Sequence, residues 1–240
     1  DIFEDSTGTL WISTNGGLNR YDRTRDRFDV FQKGEPPLEL NDNIIYMLEE
    51  DAEGRIWIGT YSAGLTRYDP QTNEVRHYTH DPEDSRSLSD NLVYDLLIDS
   101  EGTLWVGTNN GLNRYDEDLD GFRRFYHEEN DRSSLTSNTV RELFEDSQGT
   151  LWVGTISGGL LRYEGSEAGF DYYMEEQGLP DNNVYGILED YRGRLWISTT
   201  DTLTIFSPEE GRFQVVDEDN GIWAQEFTRG HARDGDGRLY

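Results

Sequence analysis

The 240 residues carry 49 acids against 21 bases, and a net charge of −28 argues against any phosphate backbone as partner. Cysteine is absent, so the sequence offers no disulfide framework or thiol chemistry. No apolar run approaches the ~20 residues of a membrane span, and no signal-peptide pattern is present. Lys33 is the only lysine. An acid-rich, lysine-poor surface suits a protein that stays dispersed in high salt, although a GC-rich genome leaves the same bias towards arginine. Unfolding in low salt with refolding in molar salt would decide for the first reading.

In chain order, one phrase recurs. Trp11, Trp57, Trp105, Trp152 and Trp196 each sit in a Leu/Ile-Trp-Ile/Val-Gly/Ser-Thr run, at intervals of 44–48 residues. Asp234, Gly237 and Tyr240 begin a sixth copy. Self-similarity at this period predicts a propeller or solenoid. The expected units are residues 1–39, 40–87, 88–134, 135–178 and 179–221, with 222–240 opening the next.

Each unit predicts four short strands. The first is an apolar run ending in acid, over Ile44 to Glu49, Leu92 to Ile98, Thr139 to Glu145 and Val184 to Glu189. An Asp-x-x-Gly turn follows at Asp5, Asp51, Asp99, Asp146 and Asp190, where the carboxylate can accept from the turn's own amides. The Trp strand comes next, its indole expected to wedge between neighbouring blades. The third strand reads Leu-Asn-Arg-Tyr-Asp at Leu18 and Leu112. The fourth carries paired apolar residues such as Phe28/Phe31 and Phe122/Phe125. Polar connectors without apolar period separate the units, the longest over His80 to Asp90 and Tyr126 to Ser137. The expectation is a single all-β domain, a β-propeller with about five blades visible. Both ends fall inside a repeat, which suggests an arc of a larger, seven-bladed ring.

Strand alternation places the Asp-x-x-Gly turns on one face and the long connectors with the turn after Gly-Thr on the other. Copies diverge most on the second face: Asn15-Gly16, Tyr61-Ser62-Ala63, Asn109-Asn110, Ile156-Ser157-Gly158 and Thr200-Asp201. Binding is usually placed on such loops. The innermost strands open there with Asn43, Asn91, Asn138 and Asn182, followed by Tyr46, Tyr94, Arg141 and Tyr185. The last unit offers Gln225 and Arg229. Stacking surfaces and directional hydrogen bonds of this kind suit a sugar or a small anion, and Tyr46, Tyr94, Arg141, Tyr185, Arg229, Asn109 and Asn110 are the candidate ligand residues. The bland alternatives stay open: the asparagines cap turns, the tyrosines pack between blades and Arg141 serves an ion pair. One carboxylate per blade does not make a catalytic pair. His77 and His80 lack an evident third metal ligand. No catalytic residues, metal or cofactor are expected.

The run Asp-x-x-Gly-x-Leu-Trp-Ile/Val-Gly-Thr-x-x-Gly-Leu-x-Arg-Tyr-Asp, preceded by Ser-Leu-Ser-x-Asn-x-Val, resembles the two-component regulator propeller repeat. Gly221-Ile222-Trp223-Ala224-Gln225-Glu226-Phe227 is similar to that family's last propeller unit. The resemblance implies the periplasmic or extracellular sensor of a membrane-bound hybrid two-component receptor, with a small-molecule ligand such as an oligosaccharide. It further implies a homodimer in the full-length receptor, and a membrane helix and kinase encoded downstream. Ile205-Phe206-Ser207 departs from Arg-Tyr-Asp, and Trp223 has no counterpart in earlier copies. Propeller lyases that open cyclic antibiotics share a related Leu-Trp repeat, but the Gly-Leu-x-Arg-Tyr-Asp half favours the sensor family. A non-catalytic scaffold for protein partners is the alternative.

Overall fold

The computed structural model describes residues 1–216, so Trp223, Gln225, Arg229 and the start of the sixth unit lie outside the described residues. Strands β1 to β20 form five four-stranded antiparallel sheets, each in simple chain order. The first holds β1 (Ile2–Glu4), β2 (Leu10–Thr14), β3 (Gly17–Asp22) and β4 (Arg27–Phe31). The second holds β5 (Ile45–Glu50), β6 (Ile56–Thr60), β7 (Leu65–Asp69) and β8 (Glu74–Tyr78). The third comprises β9 (Val93–Ile98), β10 (Leu104–Thr108), β11 (Gly111–Asp116) and β12 (Gly121–Phe125). β13 (Val140–Glu145), β14 (Leu151–Thr155), β15 (Leu160–Tyr163) and β16 (Phe170–Tyr173) make the fourth. β17 (Gly186–Glu189), β18 (Leu195–Ser198), β19 (Leu203–Ser207) and β20 (Arg212–Val216) make the fifth. Each sheet is a propeller blade. Packing divides the chain into two compact units: residues 1–124, with the first three sheets, and the segment from Phe125 on, with the last two.

The repeated phrase builds the same joint in every blade. In all five turns the Asp Oδ1 accepts the amides two and four residues on, at 2.8–3.2 Å. Its Oδ2 accepts the indole Nε1–H of the Trp six residues on, at 2.8–3.1 Å. The turn carboxylate thus fixes the indole as well as the turn. In three of the blades the indole packs into the blade that follows. Trp11 joins a cluster with Ile45, Leu48, Ile56 and Tyr68. Trp57 joins Val93, Leu96, Leu104 and Val106, and in the second unit Trp152 joins Val184, Ile187, Leu195 and Phe206. In the first three blades the Arg of Arg-Tyr-Asp is the cross-strand neighbour of the Trp and lies over its ring, as with Arg67 at 5.6 Å from the Trp57 centroid.

Close approach explains a glycine. A Cβ on Gly59, the glycine of the Trp-Ile-Gly-Thr run, would lie 2.8 Å from Val93 Cγ1 on the neighbouring inner strand. Gly59→Ala is expected to cost about 1–3 kcal/mol through overpacking. In a denaturant titration Val93→Ala should cost less when combined with Gly59→Ala than it does alone; additive losses would refute the contact.

A second joint device sits at the turns. Ser6 donates its amide and hydroxyl to Glu50 of the next blade at 2.6 and 2.7 Å. Ser147 does the same to Glu189 in the second unit, at 2.9 and 2.7 Å. At the joint between the second and third blades the two positions are Ala52 and Ile98. The pair has changed together, from polar to apolar.

The long connectors cover the outer edges of the blades they precede. Phe122 N donates to Arg86 O at 2.7 Å, and Arg124 reaches the carbonyls of Ser87 and Asp84 at 2.6 Å. In the second unit Phe170 N donates to Ser133 O at 2.8 Å. These loops therefore pair an edge that would otherwise be open.

Candidate functional site

Three of the candidate residues occupy the same unusual position. Ile45 pairs with Thr60 and Met47 with Gly59, which leaves Tyr46 as an extra residue in β5. Tyr94 is the extra residue between Val93 and Asp95 in β9, and Arg141 the one between Val140 and Glu142 in β13. A β-bulge leaves one residue unpaired and re-aims its side chain, so the inner strands present these three out of the ladder pattern. Tyr185 sits just before β17, its amide on Ser198 O at 2.9 Å. All four side chains are half-buried. Asn109 and Asn110 are exposed in the turn between β10 and β11, and Asn109 N donates to Leu92 O at 3.0 Å. Tyr46, Tyr94, Asn109 and Asn110 belong to the first unit, Arg141 and Tyr185 to the second.

The recurrent asparagines are structural. Asn43, Asn91, Asn138 and Asn182 each accept, through Oδ1, the backbone N–H that opens the preceding connector: Lys33, His80, His127 and Glu175, at 2.6–2.9 Å. They clasp the two ends of each loop. His77 and His80 turn to different partners, Thr66 Oγ1 at 3.0 Å and Leu88 O at 2.8 Å.

The inner strands also bury carboxylates that sequence reasoning misses. Asp95 and Glu142, the residues after the bulges, are each 3% exposed. Glu49 lies on β5, which packs against β9. Burial, reinforced by the charge of Asp95, pushes the Glu49 carboxyl up to about 8. An acid at the end of an apolar strand reads as the solvent end of that strand, so sequence pattern alone does not flag it.

Clefts lie on both faces. One in the first unit, about 610 Å³, is on the Asp-x-x-Gly face at the joint where Ala52 and Ile98 replace the serine–glutamate clamp. Arg55 crosses it, bound to Glu53 at 2.9 Å and to Glu117 at 3.4 Å. A cleft of about 560 Å³ occupies the equivalent joint of the second unit, so it is a product of the blade joint. On the variable face, the second unit has a cleft of about 430 Å³ lined by His127, Arg132, Tyr172, Met174 and Asn182. Among the described residues no group of three or more His, Cys, Asp or Glu is placed to hold a metal ion. None of their helices is long and apolar enough to cross a membrane.

Residues 39–62, 87–110, 134–157 and 178–201 match the two-component regulator propeller model, one segment for each of four successive inner-strand, turn and Trp-strand sets. Over these four segments the chain belongs to the two-component regulator propeller family. No curated protein matches it. Among solved structures, the propeller is similar to the extracellular domain of the hybrid two-component system BT3049 from B. thetaiotaomicron. The identity there is 25% and the TM-score 0.80, over 99% of this chain and 31% of that one. The extracellular domain of the one-component system BT4673 of the same organism is similar at 20% identity and TM-score 0.68, over 99% of this chain and 40% of that one. The propeller therefore spans about a third of the length of the first and two fifths of the second. Streptogramin B lyase, at 14% identity and TM-score 0.69 over 99% of this chain and 74% of its own, shares the fold.

Proposed function

We propose that this propeller is part of the ligand-sensing, extracytoplasmic region of a membrane-bound hybrid two-component receptor, and that it recognises a carbohydrate on the face carrying the connectors. The observation that carries this reading is the run of four matched repeats, together with the likeness to the BT3049 extracellular domain. The bulged inner strands support the choice of face, because they set Tyr46, Tyr94 and Arg141 out of register where the loops vary. The propeller acts by binding, not by turnover, and a signal requires a contact that differs between two receptor states. Dimerisation of the full-length receptor and a downstream kinase complete the reading.

The gene on either side of this segment and a glycan array test it. A membrane span and a kinase module encoded downstream, with saturable glycan binding weakened about tenfold or more by Tyr94→Ala or Arg141→Ala, are the expected results. Capture of a protein partner by a propeller that ignores every glycan would favour the scaffold reading instead.

A further inference from the structure

The turn between β6 and β7 carries the one aromatic among the five equivalent turns. Tyr61 is 43% exposed, yet the loop beneath it is pinned. Its own amide donates to Ile44 O at 3.0 Å. Asp42 Oδ2 accepts both the amide and the hydroxyl of Ser62, at 3.0 and 2.7 Å. Ala63 N donates to Thr60 Oγ1 at 3.1 Å, and Asn41 Nδ2 donates to Ala63 O. The ring itself rests edge-on against Tyr46, with centroids 5.7 Å apart and planes at 65°. Tyr46 in turn stands out of the strand because it is the bulge residue.

An exposed tyrosine usually loses rotamer freedom when a ligand covers it. Here backbone and ring are ordered in advance, so binding has less ordering to oppose it. Tyrosine also offers a large, rigid, amphipathic contact with few torsions to fix. Its half-exposed ring presents an apolar surface with a hydroxyl at its tip. A pyranose ring has the complementary make-up: axial C–H groups form an apolar face, and hydroxyls project from its rim. A flat stacking surface on a face that also carries exposed amides, those of Asn109 and Asn110 in the same unit, suits such a ring better than a compact ion.

We infer that Tyr61, buttressed by Tyr46, is the stacking platform for a pyranose residue. This rests on the carbohydrate reading proposed above and names the residue that selects the ligand. Tyr191, the most exposed aromatic among the described residues at 77%, makes a control: it belongs to the Asp-x-x-Gly turn of the fifth blade and lies against Arg192.

The test uses the whole 240-residue chain on an array of pyranose oligosaccharides that includes cellotetraose, xylotetraose and a hyaluronan tetrasaccharide. Tyr61→Ala should weaken the strongest glycan by on the order of tenfold or more, while Tyr61→Phe stays within about threefold and Tyr191→Ala matches the parent. Tyr61→Trp should keep binding, and its emission should shift as the glycan is added. Glycan binding that survives Tyr61→Ala unchanged overturns the platform and leaves the sensor reading standing. No binding of any glycan by the parent chain overturns both.

Discussion

Replacing Trp57 by alanine is expected to destabilise the first unit by about 3–5 kcal/mol, the range for removing a large buried aromatic. Trp57 is 1% exposed and belongs to the core of the blade that follows its own. Its ring lies 4.9 Å from that of Tyr115 and 5.6 Å from that of Tyr78, so the deletion opens a cavity bounded by two sheets that cannot close without parting them. It also strips Asp51 Oδ2 of its indole donor, leaving Arg55 Nε as the contact on that oxygen. Trp57→Phe should cost roughly half as much, because the ring contacts persist and only the indole hydrogen bond and some volume are lost. Denaturant titration followed by circular dichroism measures both. A loss below about 1 kcal/mol for the alanine variant would mean that the blades do not share a core.

Much of this joint is legible before any coordinates. The interval between tryptophans sets the fold, and the Asp-x-x-Gly spacing sets the turn, because both depend on residues close in sequence. The constant separation of six between Asp and Trp, as in Asp51 and Trp57, was a visible sign that carboxylate and indole meet. The serine–glutamate clamp was readable too. Ser6 with Glu50 and Ser147 with Glu189 become Ala52 with Ile98 in step, which is how two positions in contact behave when they change together.

The site was less legible, for a physical reason. Tyr46 and Tyr94 owe their orientation to a bulge, and the bulge reflects how β5 and β9 pair with their partners rather than a local preference. A strand pattern of period two places an extra residue on the wrong face by default. Tyr61 is a single aromatic in a variable turn, and only the hydrogen bonds converging on residues 60–63 distinguish it from an incidental surface residue. The asparagines that open the inner strands had two readings from sequence, ligand contact or turn cap. The hydrogen bonds at Asn43, Asn91, Asn138 and Asn182 give them a structural role, but one that clasps a whole loop, which residues adjacent in sequence do not reveal.

The first unit should lose stability between about pH 5 and pH 8 in a way that Glu49→Gln abolishes. Burial and the neighbouring Asp95 raise the Glu49 carboxyl from 4.5 to about 8 in the folded chain. Between those values the folded state holds a proton that the unfolded state releases, so unfolding becomes easier as pH rises. The stabilisation is fully present below 4.5 and is lost as pH passes through about 8. The slope is at most about 1.4 kcal/mol per pH unit. Because Glu49 is half-buried and keeps some solvent, a total of about 2–4 kcal/mol is expected. The amide cannot ionise and should flatten the curve, so the variant gains on the parent as pH rises and matches it near pH 4.5. Asp5 and Asp120 act in the opposite sense, since burial raises them but hydrogen bonds from Thr7 and Trp11, and from Tyr78 and Tyr115, hold both below the ordinary carboxylate range. Their contribution disappears only in acid, and it cancels when parent and variant are compared at each pH. Asp95→Asn should also flatten the curve, by lowering the Glu49 carboxyl without removing it. Parallel curves for parent and Glu49→Gln from pH 5 to 8 would show that Glu49 is ionised in the fold.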